Sequence, residues 1–575
     1  MCRGTWSEIF VAMTDKSIKP LNSDALSPDL DAIVVGAGFA GLYMVQKLKQ
    51  QGLSVRCFEA GSDVGGTWFW NKYPGAQCDV ESLEYSYGFS EALQQDWQWS
   101  RRFAGQAEIL AYANHVADRF ELRQYIDFKT RVRCTTFDEK NGLWRVQVDV
   151  DQTFSARFLI LGTGNLSTPQ VPEIPGLNDF KGSWFHSSRW PDEGVDFAGK
   201  RVAVVGTGST GIQIIPVVAE TAQQLLVFQR SPNYVVPAQN MQLDEATVSA
   251  YKMRYPEIRQ IAQQSRYGVA DLAVPTKSAL EVTFEEREQR YEELWKFGSH
   301  TAFLTAFNDL LLDLEANETA ADFVRRKILA TVADHRTAEV LSAFDHPLGA
   351  RRLCAGTEYY ETFNRPNVTL VNVREEPIET FTEKGLCCGG VEHEFDIVVF
   401  ATGFDAMTGA LREIRIQGRD GLLLADKWSA GPLTYLGMTV SGFPNMFIIT
   451  GPGSPSVKSN VILSIEQHVD WIASCLSNMR VMGTNLIEAQ SAAETDWVKH
   501  VNEVAAPTLY VKANSWYTGA NVPGKPRVFM PYVGGIGTYR RICDEIARDS
   551  YRGFSLASVT APVALPAQQP AVSSN

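Results

Sequence analysis

The sequence contains no long apolar run, no surplus of basic residues and no paired cysteine motif. No segment approaches the roughly 18–20 consecutive apolar residues that a membrane-spanning helix needs, so no membrane partner is expected. The net charge of −13 argues against a nucleic-acid-binding protein, which would carry a basic surface. None of the nine cysteines lies in a CxxC pair, which favours free thiols and a cytoplasmic location.

Two glycine loops indicate what the chain binds. At 575 residues it is too long for one hydrophobic core, and two or three domains are expected. Residues 36–41 (GAGFAG) follow an apolar run at 32–35, and residues 206–211 (GTGSTG) follow a second apolar run at 202–205. In a strand–loop–helix unit, the first glycine permits the tight turn and the second lets the backbone approach a pyrophosphate. The helix N-terminus then attracts the anionic charge.

The residue that follows the next apolar stretch distinguishes the two sites. After the first loop this residue is Glu59, whose carboxylate can accept hydrogen bonds from a ribose diol. After the second loop the stretch ends in Gln229, Arg230 and Ser231, and an arginine at this place favours the 2′-phosphate of NADP. One chain with both sites suggests a flavin that NADPH reduces.

The predicted fold class is α/β, with two Rossmann-like dinucleotide-binding domains, one for FAD and one for NADP. The expected parts are a flexible N-terminal arm at 1–30, the FAD-binding domain at 31–165 and 396–552, the NADP-binding domain at 166–395, and a disordered tail at 553–575. Residues 237–344 are poor in glycine and rich in helix-forming residues, which predicts a helical insertion in the NADP-binding domain. This insertion either shapes the substrate entrance or forms a solvated cap without a substrate role.

Four further motifs resemble those of one enzyme family. Residues 180–191 (FKGSWFHSSRWP) match the pattern FxGxxxHxxxWP, and residues 65–68 read GGTW. Residues 349–352 read GARR, and residues 516–521 read WYTGAN. With these motifs in this order, the sequence resembles the Type I Baeyer–Villiger monooxygenases, in the branch that includes phenylacetone and steroid monooxygenases. The resemblance extends from about residue 31 to about residue 549.

The resemblance implies an enzyme that uses FAD, NADPH and O2 to insert one oxygen atom beside a ketone carbonyl, which gives an ester or a lactone. In that family NADPH reduces FAD, the reduced flavin traps O2 as a C4a-peroxide, and the peroxide attacks the ketone. The implied partners are a small-molecule ketone and O2. No metal is implied, and the protein is expected to be a monomer or a weak homo-oligomer.

Arg352 and Asp79 align with the active-site arginine and aspartate of the family. The peroxide and the tetrahedral adduct are both oxyanions, so a fixed cation beside the flavin would stabilise both. A guanidinium stays charged in such a site, and it needs a nearby carboxylate if it is buried. The alternatives are a phosphate-binding or surface arginine at 352 and an ordinary turn aspartate at 79.

The other site residues follow from the glycine loops and from the resemblance. The expected cofactor-binding residues are Gly36, Gly38, Gly41, Glu59, Thr67, Trp68, Trp70, Asp79, Tyr85 and Val461 on the FAD side, and Thr207, Gly208, Ser209, Thr210, Gly211, Gln213, Arg230, Ser231, Arg351 and Trp516 on the NADPH side. Ser456 and Val457 are expected to contact the substrate and, with Val461, to influence ketone size. For the aromatic residues the alternative is ordinary core packing.

Two rival functions remain open at this point. One is an N- or S-oxygenating flavin monooxygenase, and the other is an NADPH oxidase or sensor without an oxygenation step. The Trp190–Pro191 end of the long motif, together with Arg352 and Trp516, favours the ketone reaction. His186 within that motif is expected to be structural or hinge-forming rather than an acid–base catalyst.

Overall fold

The computed structural model describes residues 28–149, 151–270 and 272–559. Residues 1–27 of the expected N-terminal arm and residues 560–575 of the expected tail lie outside this description. Within the described residues, no helix combines the length and the apolar character that crossing a membrane requires.

Twenty strands are formed by the described residues. They are β1 (Leu30–Val35), β2 (Val55–Phe58), β3 (Ile126–Asp127), β4 (Val132–Asp138), β5 (Leu143–Val148), β6 (Thr153–Leu161), β7 (Ser183–His186), β8 (Arg201–Val205), β9 (Gln224–Gln229), β10 (Val235–Pro237), β11 (Cys354–Gly356), β12 (Val368–Asn372), β13 (Ile378–Phe381), β14 (Gly385–Cys388), β15 (Val391–Glu394), β16 (Ile397–Phe400), β17 (Arg415–Gln417), β18 (Met446–Ile448), β19 (Leu486–Ala489) and β20 (Phe554–Ala557).

Seventeen α-helices accompany these strands in the described part of the chain. They are α1 (Phe39–Gln50), α2 (Thr67–Trp70), α3 (Glu91–Asp96), α4 (Gln106–Arg119), α5 (Ser209–Thr221), α6 (Glu245–Met253), α7 (Tyr255–Gln264), α8 (Phe284–Phe297), α9 (His300–Leu304), α10 (Leu314–Thr331), α11 (His335–Ser342), α12 (Tyr359–Thr362), α13 (Gly409–Glu413), α14 (Leu424–Lys427), α15 (Val461–Met482), α16 (Ser491–Ala505) and α17 (Ile536–Arg548).

The first glycine loop belongs to an eight-stranded sheet. Its strand order is β17-β4-β5-β6-β1-β2-β3, with β18 paired to β6. Strand β1 is parallel to both β2 and β6, and its residue Val34 lies opposite Cys57 on one side and Ile160 on the other. Because such a strand is buried on both faces, it is a continuous apolar run rather than an alternating one.

The second glycine loop belongs to a five-stranded parallel sheet with the order β12-β9-β8-β16-β7. Strand β16 lies between β8 and β7, where Val399 is opposite Val204 and Phe185. The predicted NADP-binding domain therefore ends too early at residue 395. The apolar run of β16 still belongs to the second sheet, and only after it does the chain return to the first sheet.

Helices α6 to α11 all begin and end within residues 237–344. Helix α8 begins with a capping box, in which Thr283 and Glu286 each satisfy the backbone N–H of the other, and it ends at Gly298 in a left-handed conformation. We call the part of the chain built on the eight-stranded sheet the first unit and the part built on the five-stranded sheet the second unit. Helix α7 packs against the first unit, where the Arg259 guanidinium donates to the carbonyl of Glu84 at 3.0 Å and to Ser86 Oγ at 2.7 Å. Other residues of the helical segment, such as Tyr291 and Phe303, share a core with the second sheet, so the segment contacts both units.

The C-terminal region differs from the expectation for residues 553–575. Strand β20 pairs antiparallel with β19, with Phe554 opposite Ala489 and Ala557 opposite Leu486. The Phe554 side chain is buried and packs against Tyr435 and Trp471. The prediction of disorder was wrong for residues 554–557, because one aromatic anchor and a short strand pairing are enough to order a segment whose composition is otherwise loop-like.

Candidate active site

The first glycine loop forms a tight turn that faces Gly65 and Gly66 of the GGTW motif. Gly36 adopts a φ of +96°, and a Cβ at Gly41 would lie 1.8 Å from the Gly36 carbonyl oxygen, so helix α1 begins in tight contact with the loop. A Cβ at Gly38 would lie 3.4 Å from the Cα of Gly66. Two bare backbone segments therefore face each other at the N-terminus of α1, as a pyrophosphate site requires.

Glu59 lies directly beneath this loop. Its Oε2 accepts a hydrogen bond from the N–H of Ala37 at 2.7 Å, and its Oε1 accepts one from the N–H of Gly61 at 2.6 Å. Burial raises the pKa of the Glu59 carboxyl, and the two N–H donors oppose that rise. Each carboxylate oxygen can accept more than one hydrogen bond, so the same group can also hold a ribose hydroxyl.

The aromatic residues predicted on the FAD side form a layer next to the loop. The indole N–H of Trp68 donates to Tyr85 Oη at 3.2 Å, and both side chains are buried. Thr67 is exposed at the start of α2. The guanidinium of Arg189 lies 4.8 Å from the ring centre of Trp70, so the long sequence motif contacts this layer through a cation–π interaction.

The second glycine loop is open towards solvent. Gly206 has a φ of +111°, and a Cβ at Gly211 would lie 2.1 Å from the Gly206 carbonyl oxygen. A Cβ at Gly208, by contrast, would meet no atom within 4 Å. Gly208 and Ser209 are exposed at the first turn of α5, so backbone N–H groups are available to an anion.

Three arginines from different parts of the chain, Arg230, Arg351 and Arg374, lie near the end of strand β9. Ser231 Oγ accepts a hydrogen bond from Arg374 Nη2 at 2.7 Å, and Thr207 Oγ1 donates to the Ser231 carbonyl at 3.2 Å. Arg351 Nη2 lies 3.4 Å from Asp345 Oδ1, and Arg374 also pairs with Asp345. The positive charges of Arg230 and Arg374 lower the pKa of Arg351 in addition to its burial. Three guanidinium groups thus concentrate positive charge around Ser231.

Strand pairing explains why residues so distant in sequence meet here. Strands β10 and β11 are parallel, with Val235 opposite Cys354. The residues two positions before each strand, Asn233 and Arg352, are therefore neighbours, and Asn233 Nδ2 donates to the Arg352 carbonyl at 3.0 Å. This register fixes the GARR segment beside the second glycine loop.

Arg352 and Asp79 form an ion pair with two contacts. Arg352 Nε lies 3.0 Å from Asp79 Oδ2, and Arg352 Nη2 lies 2.5 Å from Asp79 Oδ1. Burial alone would raise the pKa of Asp79, but the guanidinium outweighs it and holds the pKa at about 2. Burial would lower the pKa of Arg352, and Asp79 raises it instead. Both groups therefore stay charged at neutral pH.

Gln213 uses its side chain to hold the segment that carries Asp79. Its Oε1 accepts a hydrogen bond from Tyr73 Oη at 2.9 Å, and its Nε2 donates to the Gln77 carbonyl at 2.9 Å. A Cβ at Gly75 would lie 2.3 Å from the Gln213 carbonyl oxygen. The structure thus places Gln213 in a contact between the two units, with both ends of its amide bound to protein. Thr210 lies one turn earlier in α5 and is partly exposed.

Ser456 and Val457, which were expected to contact the substrate, lie at one small apolar cluster formed by Ala406, Met407 and Met530. Val457 and Trp516 both pack against Met407 and its neighbours. Ser456 is fully buried with a left-handed φ of +38°, and its Oγ lies 3.7 Å from the Met407 sulfur. Val461 is the first residue of α15 and packs against the core of the first unit. Residues 456–457 and the WYTGAN motif therefore lie side by side at this cluster.

Sequence reasoning missed three residues of this region. Arg374 follows β12, which is the parallel neighbour of β9, so its position could have been found only from the strand order. Tyr517 is buried beside Arg352, and burial raises its pKa to about 12 although Arg352 opposes the shift. Lys458 points its amine at the rings of Tyr510 and Tyr517. Tyr517 lies inside the WYTGAN motif, but only Trp516 was singled out there, and Lys458 was not singled out at all.

His186, the histidine of the long motif, is buried at the end of β7. Its Nδ1 lies 2.8 Å from Ser188 Oγ and accepts a hydrogen bond from the Ser188 N–H. Burial lowers its pKa to about 4, and Arg189 adds to this effect. A neutral, capped imidazole within a sheet is in keeping with a structural role.

Both dinucleotide sites fit their expected groups. The Gly38–Gly66 cradle with Glu59 at its base suits an adenine dinucleotide without a 2′-phosphate. The open first turn of α5 and the three arginines suit a dinucleotide that carries one. Arg352 lies between these two sites because its carboxylate partner comes from the first unit and its strand neighbour from the second.

Comparison with known proteins agrees with this geometry. Residues 31–242 match the family model described as flavin-binding monooxygenase-like. A Baeyer–Villiger monooxygenase of Pseudooceanicola batsensis is 43% identical, over 93% of this chain and 98% of the relative. An acetone monooxygenase (methyl acetate-forming) of Gordonia sp. is 41% identical, over 92% of this chain and 99% of the relative.

A solved structure shows the same arrangement over the same length. An oxidised steroid monooxygenase bound to NADP is 49% identical, with a TM-score of 0.88 over 92% of this chain and 99% of that chain. The likeness therefore includes both sheets, the helical segment between them and the return to the first unit. On this basis the chain belongs to the Baeyer–Villiger monooxygenases, within the flavin-binding monooxygenase-like family.

Proposed function

We propose that this protein uses NADPH, FAD and O2 to insert one oxygen atom beside the carbonyl of a ketone, giving an ester or a lactone. The observation that carries this proposal is the Arg352–Asp79 ion pair, which lies between the two dinucleotide sites. A simple NADPH oxidase or sensor needs no fixed cation at this place, because it stabilises no tetrahedral oxyanion.

The names of the relatives support a ketone as the substrate class. They include an acetone monooxygenase of Gordonia sp. and a cyclohexanone monooxygenase of an Acinetobacter species. A third relative, from Pseudomonas putida, is named for a cyclopentenyl-acetyl-CoA substrate. Small, cyclic and highly substituted ketones are thus all compatible with this fold, and the apolar cluster around Met407 is where we expect this chain to select among them.

When bound, FAD takes two electrons from NADPH and activates O2, and this supplies the redox chemistry. The protein chain supplies a fixed positive charge at Arg352 and side chains that enclose the site. Two N–H groups of Arg352 bind Asp79, and the guanidinium has further N–H donors that remain available to an oxyanion. Such preorganised stabilisation is typically worth about 3–4 kcal/mol of the barrier. Trp516 and Tyr517 close one side of the site, their rings being 4.2 Å apart.

His300 is a neutral neighbour of the ion pair. It lies in α9 at the edge of the helical segment, where burial lowers its pKa to about 4 against the opposing charge of Asp79. At neutral pH it therefore adds no second positive charge beside Arg352. The electrostatic influence of Asp79, Arg352 and Lys458 on His300 supports a role of the helical segment in closing the substrate side rather than in capping a remote surface.

We also propose a cytoplasmic location and a monomeric or weakly associating state. All eight cysteines within the described residues are free, as a reducing compartment would keep them. Size-exclusion chromatography with light scattering, together with fractionation of the native host cells, would test both points.

The test of the activity is a product analysis. Purified yellow protein is incubated with NADPH under nitrogen and then in air, with linear, cyclic and aryl ketones, and the products are identified by mass. Flavin bleaching under nitrogen followed by ester or lactone formation in air is the expected result. Hydrogen peroxide without any ester from the whole panel would contradict the proposal.

A further inference from the structure

The amine of Lys458 is partly buried and has no counter-ion among the residues that the structure describes. Its amine lies 3.7 Å from the ring centre of Tyr510 and 4.5 Å from that of Tyr517, and 3.5 Å from Tyr517 Oη. Within residues 28–149, 151–270 and 272–559, no carboxylate forms an ion pair with it. A lysine held only by aromatic faces keeps part of its charge unneutralised.

The other charges around Lys458 are also positive. Burial lowers the pKa of this amine well below its ordinary value, and the guanidinium groups of Arg352 and Arg266 lower it further. Arg352 already has Asp79 as a partner. Arg266 is exposed and contacts the ring of Tyr267 at 5.8 Å. An anion placed between Lys458 and Arg266 would relieve this repulsion.

Two spaces with no carboxylate among their lining residues lie next to each other, and the inner one reaches this amine. A surface groove of about 350 Å³ is lined by polar and apolar side chains and by Arg266, with no acidic residue among the lining residues. A smaller cavity of about 10 Å³, the size of one water molecule, adjoins it and is lined by Arg266, Lys458, Tyr267, Tyr510 and Tyr532. Arg266 and Gly535 line both spaces.

The absence of acidic groups from the lining of these two spaces contrasts with the whole chain. The protein as a whole carries a net charge of −13. Here the only charged side chains that line the groove and the cavity are Arg266 and Lys458, and the other lining residues are neutral. Potentials within such concave spaces are focused by the low-dielectric walls, so local positive charge can attract anions despite the net negative charge.

The cavity is also connected to the proposed reaction centre. Tyr517 contacts Lys458 on one side and Arg352 on the other. A substrate whose carbonyl lies at Arg352 would therefore extend towards Lys458 past this one tyrosine ring. The two cations would bind different parts of the same molecule.

We propose that Lys458, assisted by Arg266 at the groove, forms a subsite for an anionic group, so that the preferred substrates are ketones that carry a carboxylate. This inference rests on the oxygenation reaction proposed above and names its substrate class. A lysine–carboxylate contact in a desolvated pocket is a charge-assisted hydrogen bond, which is among the stronger polar contacts in proteins.

The test compares each acid with its own methyl ester. The holoenzyme is assayed with levulinate and methyl levulinate, and with para-acetylbenzoate and its methyl ester, at saturating NADPH and with products identified by mass. We expect kcat/KM for the acids to exceed that for the esters by about tenfold or more. The acid-to-ester ratio should fall by about the same factor in Lys458→Met and should recover in Lys458→Arg.

Two controls keep the result specific. Lys499→Met removes an equivalent charge from an exposed lysine and should leave the acid-to-ester ratio unchanged. Binding of benzoate, which has no ketone, is measured by calorimetry on the oxidised holoenzyme and should weaken in Lys458→Met. This readout separates the subsite from the reaction, because it does not require oxygenation of any ketone.

Equal kcat/KM for acids and esters would overturn the proposal, as would a ratio or a benzoate affinity that Lys458→Met leaves unchanged. Failure of every ketone to give an ester would instead contradict the proposed reaction. In that case the dependence of benzoate binding on Lys458 would still decide whether the subsite exists.

Discussion

The guanidinium of Arg352 binds Asp79 at two points, although 273 residues separate them in sequence. The aspartate comes from the loop after α2 in the first unit, and the arginine precedes β11 in the second. The pair can form only when both units are folded and correctly placed. The presence of this ion pair therefore shows that the whole site is assembled, and its arginine supplies the positive charge of the site.

Arg352→Ala should reduce ester formation by about a hundredfold to a thousandfold while FAD stays bound, because the cation that stabilises the oxyanions is lost but the Gly38–Gly66 cradle remains. Ester yield by mass and flavin absorbance measure the two effects. Arg352→Lys should restore only part of the activity, since a lysine cannot reproduce the planar contact with Asp79.

Arg336→Ala, at an exposed arginine, is the control. Normal turnover in Arg352→Ala would show that the cation lies elsewhere.

Glu59→Ala should purify with less flavin, because it removes the acceptor for the Ala37 and Gly61 N–H groups and the expected partner of the FAD ribose. Glu59→Gln keeps a side-chain oxygen and should lose less. The ratio of flavin to protein absorbance gives the occupancy. Full flavin content in Glu59→Ala would contradict the assignment of the first loop to FAD.

Replacing both Arg230 and Arg351 with alanine should erode the preference for NADPH over NADH, because each is expected to hold the 2′-phosphate. We expect about a tenfold loss of preference for each arginine, measured as the ratio of kcat/KM for the two cofactors. Arg374→Ala should have a similar effect, since Arg374 binds Ser231 in the same cluster. An unchanged ratio in all these variants would place the phosphate at another part of the chain.

Gly208→Ala should fold normally and keep its flavin, because a Cβ there meets no protein atom and the backbone φ of −79° suits alanine. The added methyl group would occupy the space in which the NADPH pyrophosphate approaches the backbone. The KM for NADPH should therefore rise, while the melting temperature stays the same. An unaltered KM would mean that the cofactor does not approach this turn.

Glu466→Gln should change how stability depends on pH. Glu466 is buried in α15, and burial raises its pKa from 4.5 to about 7. The folded protein therefore binds more protons than the unfolded chain, so the stability from protonated Glu466 is complete below about pH 4.5 and is lost as the pH rises through 7.

Glutamine keeps the acceptor oxygen for the N–H groups of Gly88 and Phe89 without this titration. Between about pH 5 and pH 8, the free energy of unfolding of Glu466→Gln should rise relative to the wild type by about 1–3 kcal/mol. Urea unfolding at several pH values measures this difference. Parallel curves for the two proteins would mean that Glu466 is already ionised throughout this range.

The parts of the structure that local chemistry determines could be predicted from the sequence. The glycine loops, Glu59 and the buried strands β1 and β8 depend on residues close together in the chain, so their patterns are visible without a fold. The family, the cofactors and the Arg352–Asp79 pair were identified from motifs of this kind together with the family resemblance.

The rest of the structure depends on which strands pair and which distant residues meet, and local patterns in the sequence do not show this. Strand β16 belongs to the second sheet only because it pairs with β8 and β7, which its composition does not reveal. Arg374 reaches Ser231 only because β12 is the neighbour of β9. Lys458 directly follows Val457, which was expected to contact the substrate, yet its partners Tyr510 and Tyr517 lie more than fifty residues later.

The amide of Gln213 has a mechanical consequence for the enzyme. It ties residues 73–77 of the first unit to helix α5 of the second, just before Asp79 in the chain. The same segment is also held in its own unit, since the Gln106 N–H donates to the Ala76 carbonyl at 2.8 Å and the Cys78 N–H donates to the Ala104 carbonyl at 3.0 Å. A rotation of the NADPH-binding sheet would therefore pull on the Gln213 amide and on the Arg352–Asp79 pair together, so that the two contacts would be kept or lost as one.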